Sequence, residues 1–334
     1  MNNQNKEKVS NSREEWIDLL RALAMFLVIV GHTYNNKTFY QVINPVKMPL
    51  FYFLSGFFLG LNKDFVSFVK GIIYRFVLPW IVFSLFPLYM LQHLIHGDVE
   101  EALVYLKNIL LGYEVWFIPS FIITQLLCYG IYHALKKKAL LVIIASGMCF
   151  CLGILLKDVA FFDVWALNTA LTGVLFVVLG KFFFIHKKEV IENFISKPLV
   201  FIASLAVYCL LVTISMISYP QQTMDFHNVE YYNPLICLVL IATGTICCIF
   251  VSRRIKPNML TRYIAIMGQN TLVVYLLNGA VLAKVIKLYY KLGLGKNGMS
   301  LPGSIVITII VCIICTVVSV VCSRYCPVLV GKKK

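Results

Sequence analysis

An arginine and a histidine interrupt the apolar run at residues 19–32, which reads LLRALAMFLVIVGH. Arg21 and His32 are eleven residues apart. In an α-helix that spacing places both side chains on one face, about 16 Å apart along the axis. A guanidinium binds phosphate groups through paired hydrogen bonds, and an imidazole can take a proton from a hydroxyl group near neutral pH. The pair therefore predicts anion binding at one depth and acid–base chemistry at another.

Both residues also have a purely structural interpretation. Arg21 can pair with Asp18, three residues earlier on the same face, or extend towards lipid head groups. His32 can lie at a membrane interface without any chemical role. Because a charge that faces hydrocarbon is costly, we expect this helix face to point into the bundle or into a water-filled cavity. Arg21 and His32 would then look into a common passage.

The elements that position these residues are predicted to be membrane helices. The chain of 334 residues is 60% hydrophobic and 13% charged, which is too apolar for a soluble domain. Its apolar runs have membrane-spanning length and lack the alternation of a barrel strand. We therefore predict an all-α, polytopic integral membrane helix bundle with about ten spans. They are residues 17–34, 48–61 (a short span), 75–95, 116–133, 139–156, 164–184, 198–218, 232–251, 263–283 and 302–323.

The distribution of charge predicts the orientation. When the connections are assigned alternately to two sides, most of the 30 lysines and arginines fall on the side of the N-terminus, and the net charge of +15 lies there. The positive-inside rule then makes both termini cytoplasmic in a multi-pass protein of the cell membrane. Residues 1–16 would be a cytoplasmic segment, residues 324–334 a basic cytoplasmic tail, and residues 1–334 a single membrane domain. The positive charge either reflects membrane topology alone or also binds anionic lipid head groups or an anionic cytoplasmic substrate. Nucleic acid binding is not expected, because the sequence contains no basic soluble module.

Two connecting segments have features of their own. Residues 97–115 combine apolar and charged positions in the pattern of an amphipathic helix that lies at the membrane interface. Lys284, Lys287 and Lys291 continue a helix face beyond the ninth span, either as snorkelling lysines or as a site for an anionic glycan. His93 and His96 share a helix face but have no visible third ligand, so we predict no metal site.

Several motifs follow in order along the chain. PLFYFLSGF (residues 49–57) comes after the first span, YRFVLPW (74–80) includes Arg75, VWFIPSF (115–121) opens the fourth span, and IMGQNTLVVYLLNGAVL (266–282) forms most of the ninth. Together with the spacing of Arg21 and His32, they resemble the acyltransferase-3 family of membrane acyltransferases, in particular the single-domain members similar to fucose 4-O-acetylase. Ser55 and Gly56 also favour a close approach of the second span to the first.

The resemblance implies transfer of an acyl group, commonly acetyl, from cytoplasmic acyl-CoA to a carbohydrate hydroxyl at the outer side of the membrane. His32 is then the expected general base or a transient acyl carrier, and Arg21 contributes to catalysis. Arg21 and Arg75 are expected to bind the phosphates of acetyl-CoA. Glu114, Trp116 and Asn278 are expected to bind the glycan acceptor. Asn278 stands where many members have histidine, and an amide cannot act as a base.

Two other functional classes remain open from the residues alone. A carrier or flippase for a lipid-linked saccharide also needs many spans and an intramembrane charge, although no inverted repeat is visible. A membrane glycan polymerase usually has a large outer loop, and the longest connection here is short by comparison. Turnover of a thioester would separate an acyltransferase from both.

Overall fold

The chain is all-α in the computed structural model, which describes residues 14–85, 98–294 and 298–332. In chain order the α-helices are α1 (Glu15–Thr33), α2 (Lys37–Gly56), α3 (Phe65–Ile72), α4 (Leu78–Leu85), α5 (Val99–Leu110), α6 (Phe117–Ala134), α7 (Ala139–Leu155), α8 (Leu167–Ile185), α9 (Lys187–Val190), α10 (Pro198–Ser218), α11 (Pro234–Arg254), α12 (Met259–Gln269), α13 (Thr271–Lys291) and α14 (Leu301–Tyr325). A π-helical turn, Ile73–Val77, joins α3 to α4, and 3-10 turns occupy Ala160–Ala166 and Pro327–Val330.

Side-chain caps begin several of these helices. The Asn36 side chain accepts a hydrogen bond from the Phe39 amide at the start of α2, and Asn258 forms a reciprocal capping box at the start of α12. The Asn233 and Ser300 side chains accept hydrogen bonds from backbone N–H groups at the starts of α11 and α14. These residues satisfy backbone N–H groups that have no partner within the helix.

Eight helical segments in the described part of the chain are long and apolar enough to cross a membrane. They are Glu15–Thr33, Phe65–Ser84, Phe117–Ala134, Ala160–Ile185, Pro198–Ser218, Pro234–Arg254, Thr271–Lys291 and Leu301–Tyr325. The shorter helix α7 is also apolar. The predicted polytopic helix bundle is therefore confirmed, whereas the count of ten spans and the cytoplasmic side stay predictions.

Three predicted boundaries were wrong. The third span, predicted from residue 75, belongs to a helical segment that already begins at Phe65. The ninth span, predicted as one helix over 263–283, is broken at Asn270 between α12 and α13. The connection left between the first two predicted spans, residues 35–47, is instead mostly the first half of α2, which begins at Lys37.

Helix α1 lies in the interior of the bundle and packs against α2, α11, α12 and α14. Its side chains Leu20, Ala24, Met25 and Ile29 are fully buried. At Gly268 of α12, an added Cβ would lie 1.8 Å from the Asp18 carbonyl oxygen. The backbones of α1 and α12 therefore meet directly, as small residues permit in membrane helix pairs.

The closest approach of α2 is to α8, and the prediction that Gly56 packs closely on the first span was wrong. A Cβ at Gly56 would lie 2.1 Å from the Val177 carbonyl oxygen, and one at Gly180 would lie 1.8 Å from that of Phe53. Glycines on both helices thus form the contact. It fixes α2, which carries the PLFYFLSGF motif, against the centre of the bundle.

The two described ends of the chain lie at the same end of the bundle. Asp18, near the start of α1, accepts a hydrogen bond from the Gln269 side chain at 3.1 Å. Next along the chain, the Asn270 side chain accepts one from Lys332 at 2.8 Å. We refer to this as the terminal end of the bundle.

Candidate active site

A cavity of about 230 Å³ lies towards the terminal end of the bundle, and both predicted donor-binding arginines line it. Arg21 comes from α1 and Arg75 from the π-helical turn, and Lys63 contributes a third cation. Phe51, Phe58, Phe117, Phe121 and Tyr275 form much of the wall. We call this space the arginine cavity; it combines positive charge with an aromatic surface.

Arg21 is held on two sides. Its guanidinium lies 3.6 Å from a carboxylate oxygen of Asp18 and 4.3 Å from the centre of the Phe58 ring. Asp18 is only 2% exposed and also accepts the hydrogen bond from Gln269. The pairing with Asp18 that the sequence allowed is therefore present, and Arg21 still lines the cavity. A buried carboxylate with two partners holds the guanidinium in a defined position.

Arg75 lies in the π-helical turn Ile73–Val77, where the helix widens because its hydrogen bonds join residues five apart. π-Helical turns are rare and occur often at functional sites. The C-terminal segment packs against this turn: a Cβ at Gly331 would lie 2.8 Å from the Arg75 carbonyl oxygen. The Tyr74 hydroxyl donates a hydrogen bond to the Lys332 carbonyl at 3.2 Å. The last described residues thus support the backbone that carries Arg75.

A second, larger cavity of about 1160 Å³ brings together His32, Glu114, Trp116 and Asn278. These are the predicted base and all three predicted acceptor-binding residues. Glu100, Glu101 and Tyr105 of α5 also line the space. We call it the histidine cavity. Its combination of an imidazole, carboxylates and an indole ring suits recognition of hydroxyl groups.

His32 lies in the last turn of α1, exposed to the histidine cavity. Two residues of α2 support this turn: the Tyr40 hydroxyl donates a hydrogen bond to the Gly31 carbonyl at 3.0 Å, and a Cβ at Gly31 would lie 3.3 Å from the Lys47 ammonium. This support was not predicted, because the segment with Tyr40 and Lys47 was expected to be a loop.

Trp116 and Asn278 are each fixed by a neighbour. The Trp116 indole stacks on the His227 ring, with centroids 4.4 Å apart and planes at 17°. The buried Asn278 side chain donates a hydrogen bond to the Tyr275 carbonyl one turn earlier in α13. Both side chains are therefore oriented before any ligand binds.

His227 belongs to the connection between α10 and α11 and was missed by sequence reasoning. Its backbone N–H donates to Asp225 at 2.8 Å, and its carbonyl accepts from the Thr169 hydroxyl at 2.6 Å. Burial lowers the pKa of His227, and the charges of Asp225 and Asp163 partly oppose that shift. No local pattern indicated its role, because the contact with Trp116 joins residues that are distant in the sequence.

The two cavities adjoin at Tyr275, which lines both of them. Its ring makes an edge contact with Phe117, with centroids 5.1 Å apart. The structure thus divides the expected common passage into two cavities separated by an aromatic wall. Arg21 and Arg75 lie on one side of Tyr275, and His32, Glu114, Trp116 and Asn278 lie on the other.

The family of the chain follows from a comparison with models of known protein families. Residues 14–324 match the family model for the acyltransferase domain of the acyltransferase-3 family. The chain belongs to the acyltransferase-3 family. It is therefore a multi-pass membrane acyltransferase. Searches of curated proteins and of solved structures gave no significant match.

The acyltransferase has further polar side chains in the arginine cavity: Gln125 and Gln269, which sequence reasoning did not single out, and Ser55, which was expected only to pack. Gln125 donates a hydrogen bond to the Ser55 hydroxyl at 3.0 Å, and Ser55 in turn donates to the Tyr52 carbonyl at 2.6 Å. Gln125, Gln269 and Ser55 all line the cavity. They add neutral hydrogen-bonding groups to the cationic and aromatic lining of the cavity.

No group of three or more His, Cys, Asp or Glu side chains that could hold a metal ion occurs among residues 14–85, 98–294 and 298–332 of the acyltransferase. His93 and His96, which share a predicted helix face, lie outside the described residues.

Proposed function

We propose that the acyltransferase is an O-acetyltransferase of the cell membrane. It moves an acetyl group from cytoplasmic acetyl-CoA to a hydroxyl group of a cell-surface or lipid-linked polysaccharide. The observation that carries the proposal is the meeting of a cationic cavity and a histidine cavity at one residue, Tyr275. Two substrates that bind from opposite directions can then bring their reacting atoms together inside the bundle.

The arginine cavity has the chemistry of an acyl-CoA site. Arg21, Lys63 and Arg75 supply positive charge for the donor phosphates, and guanidinium groups bind phosphate in a bidentate manner. A volume of about 230 Å³ suits the narrow thioester arm better than the whole donor, so the nucleotide would lie at the mouth. The terminal end of the bundle would then face the cytoplasm, in agreement with the charge distribution.

The histidine cavity has the chemistry of a carbohydrate site. The Trp116 ring offers an apolar face for a sugar ring, and Glu114 and Asn278 can hydrogen-bond to hydroxyl groups. The cavity of about 1160 Å³ has room for a sugar unit and part of its chain. The acceptor would enter from the outer side of the membrane.

In the proposed reaction, His32 takes the proton of the acceptor hydroxyl while its oxygen attacks the thioester carbonyl. An oxygen–carbon bond forms, the carbon–sulfur bond breaks, and the proton passes from the imidazole to the departing thiolate of CoA. Transient transfer of the acetyl group to His32 is the alternative and uses the same residues. Arg21 would hold the donor in register with His32.

The subtype is proposed from the motifs alone. The motifs taken together favour a single-domain member similar to fucose 4-O-acetylase, whereas the PLFYFLSGF stretch resembles the signature of the family as a whole. Because Asn278 replaces the histidine found in many members, His32 would be the base that acts on the acceptor.

The proposal is tested by replacing His32 and Arg21 separately with alanine. His32→Ala is expected to lower glycan acetylation at least a hundredfold, because positioned general bases contribute roughly 10²–10⁴-fold to the rate. Arg21→Ala is expected to lower it as well, because the donor loses a guanidinium that binds phosphate and holds it in register. The measurement is transfer of labelled acetyl from acetyl-CoA to glycan in membranes that contain equal amounts of each variant.

His186→Ala and Arg262→Ala are matched controls, because both residues are exposed and lie outside the two cavities. They are expected to retain acetylation. Normal acetylation in His32→Ala or Arg21→Ala would contradict the proposed site. Export of a lipid-linked saccharide by the wild-type chain without thioester turnover would instead support a carrier.

A further inference from the structure

The wall between the two cavities consists mainly of one side chain, Tyr275, with a rigid backing. Tyr275 is partly buried and lines both cavities. Phe117 contacts the Tyr275 ring, also lines the arginine cavity and is 8% exposed. A substrate group that passes from the arginine cavity towards His32 must therefore pass the Tyr275 ring.

Phe117 has little freedom to yield. Its ring also contacts the rings of Phe51, Tyr52 and Phe121, with centroids 5.9, 5.6 and 5.4 Å away. Tyr52 is itself fully buried and shares a hydrogen bond with Ser120 at 2.8 Å. Interiors packed in this way resist displacement. The position of the wall is thus set by contacts from α2 and α6.

We propose that Tyr275 limits the length of the acyl group that the enzyme accepts. The inference rests on the proposed function, in which the thioester arm occupies the arginine cavity. An acetyl group ends at the Tyr275 ring with its carbonyl carbon accessible from the histidine cavity. A longer acyl chain must extend into space that the ring and Phe117 occupy. Tyr275 is therefore a specificity-determining residue that acts through the bulk of its ring.

The test measures how Tyr275 variants bind donors of different length. The full-length chain in lipid nanodiscs is dialysed to equilibrium against labelled CoA, acetyl-CoA or butyryl-CoA. We expect the wild type to bind acetyl-CoA more than tenfold tighter than butyryl-CoA, since a single methylene in a packed pocket changes discrimination by roughly 10–200-fold.

Tyr275→Ala is expected to reduce this preference to about twofold or less, because the space beyond the carbonyl opens. Tyr275→Phe keeps the ring and is expected to keep the preference. CoA has no acyl group, so its affinity for each protein is the reference against which the ratio of the acetyl-CoA and butyryl-CoA affinities is compared.

A wild type that binds both acyl donors equally, or a Tyr275→Ala variant with the wild-type preference, would overturn the inference. Failure of the wild type to bind any of the three donors would overturn the proposed donor site itself, which is a different result. Tyr275→Leu provides a second variant if the alanine variant fails to fold. It keeps apolar packing against Phe117 while shortening the side chain, and an unchanged preference there would also overturn the inference.

Discussion

Arg21 shows how one side chain serves the structure and the candidate site together. Its ion pair with the buried Asp18 compensates a charge inside the bundle, where an unpaired charge would be costly. The same pair and the contact with Phe58 hold the guanidinium at the wall of the arginine cavity. For Arg21, the contacts that stabilise the fold are the same contacts that position the guanidinium in the candidate site.

His227 allows a prediction about pH. Because burial lowers its pKa, the unfolded chain binds more protons than the folded chain between that lowered value and the ordinary pKa of about 6.5. The free energy of unfolding therefore rises with pH across this window. The contribution of neutral His227 is fully present above pH about 6.5 and is lost as the pH falls below it.

Wild type is expected to lose more thermal stability than His227→Phe when the pH is lowered from about 7.5 to about 5. Phenylalanine can keep the stacking contact with Trp116 but does not titrate. The melting temperature of the purified protein at both pH values is the measurement. His186→Phe, at an exposed histidine after α8, is the control and should behave as wild type. An equal loss in wild type and His227→Phe would contradict the role assigned to burial.

At the scale of elements, α2 does more than carry the PLFYFLSGF motif. Its first half supports the end of α1 at His32 through Tyr40. It also holds the connection before α11, because the Gln41 and Asn44 side chains donate hydrogen bonds to backbone carbonyls of that connection. The second half packs on α8 through glycines. Helix α2 thus links the histidine cavity to the centre of the bundle.

The glycine contact between α2 and α8 gives a prediction about stability. Gly180→Ala places a methyl group 1.8 Å from the Phe53 carbonyl oxygen if nothing moves. The helices must separate, and overpacking of this kind costs about 1–3 kcal/mol. Thermal unfolding in detergent is expected to occur at a lower temperature than in wild type.

Gly147→Ala on α7 is the matched control, because no atom lies within 4 Å of an added Cβ there. Alanine has the higher helix propensity, so this variant is expected to be as stable as wild type or more stable. If Gly180→Ala unfolds at the same temperature as Gly147→Ala, the direct contact of α2 with α8 is not required for stability.

At the scale of the whole molecule, residues from both ends of the chain build the terminal end of the bundle. Lys332 donates hydrogen bonds to the side chains of Asn270 and Ser323, at 2.8 and 3.0 Å. Asn270 lies between Gln269 and Thr271, which both line the arginine cavity. The C-terminal segment therefore packs beneath the cavity that the proposed function assigns to the donor.

Removal of this segment is expected to weaken donor binding more than it slows the chemical step. A chain that ends after Cys326 loses the contacts of Gly331 and Lys332 with the turn that carries Arg75. We expect KM for acetyl-CoA to rise roughly tenfold, equivalent to about 1.4 kcal/mol, with a smaller change in kcat. Steady-state acetyl transfer at varied acetyl-CoA concentration is the measurement.

A chain that ends after Lys332 is the control, because it keeps these contacts, and its KM should equal that of the full chain. Gly331→Val is a second variant: residue 331 has a φ of 71°, which a β-branched residue rarely adopts. A normal KM in the chain that ends after Cys326 would show that Arg75 needs no support from the C-terminal segment.

The sequence alone determined the class of protein and the face shared by Arg21 and His32. Hydropathy and helical period depend on residues close together in the chain. The length of α10 and the common helix face of Arg21 and His32 in α1 can therefore be calculated from local sequence. The ordered motifs also identified the family. The Arg75 and Trp116 predictions came from those motifs, and the structure brings each to a cavity with Arg21 or His32.

Only the tertiary structure decided which helices meet. Membrane helices have no hydrophobic driving force to choose partners, so association depends on small-residue contacts and hydrogen bonds between distant segments. Three such contacts between distant segments are the packing of Gly56 on α8, the stacking of His227 on Trp116, and the contact of Tyr275 with Phe117 between the two cavities. The first half of α2 was missed for the same reason, because its polar side chains bind the connection before α11 rather than water.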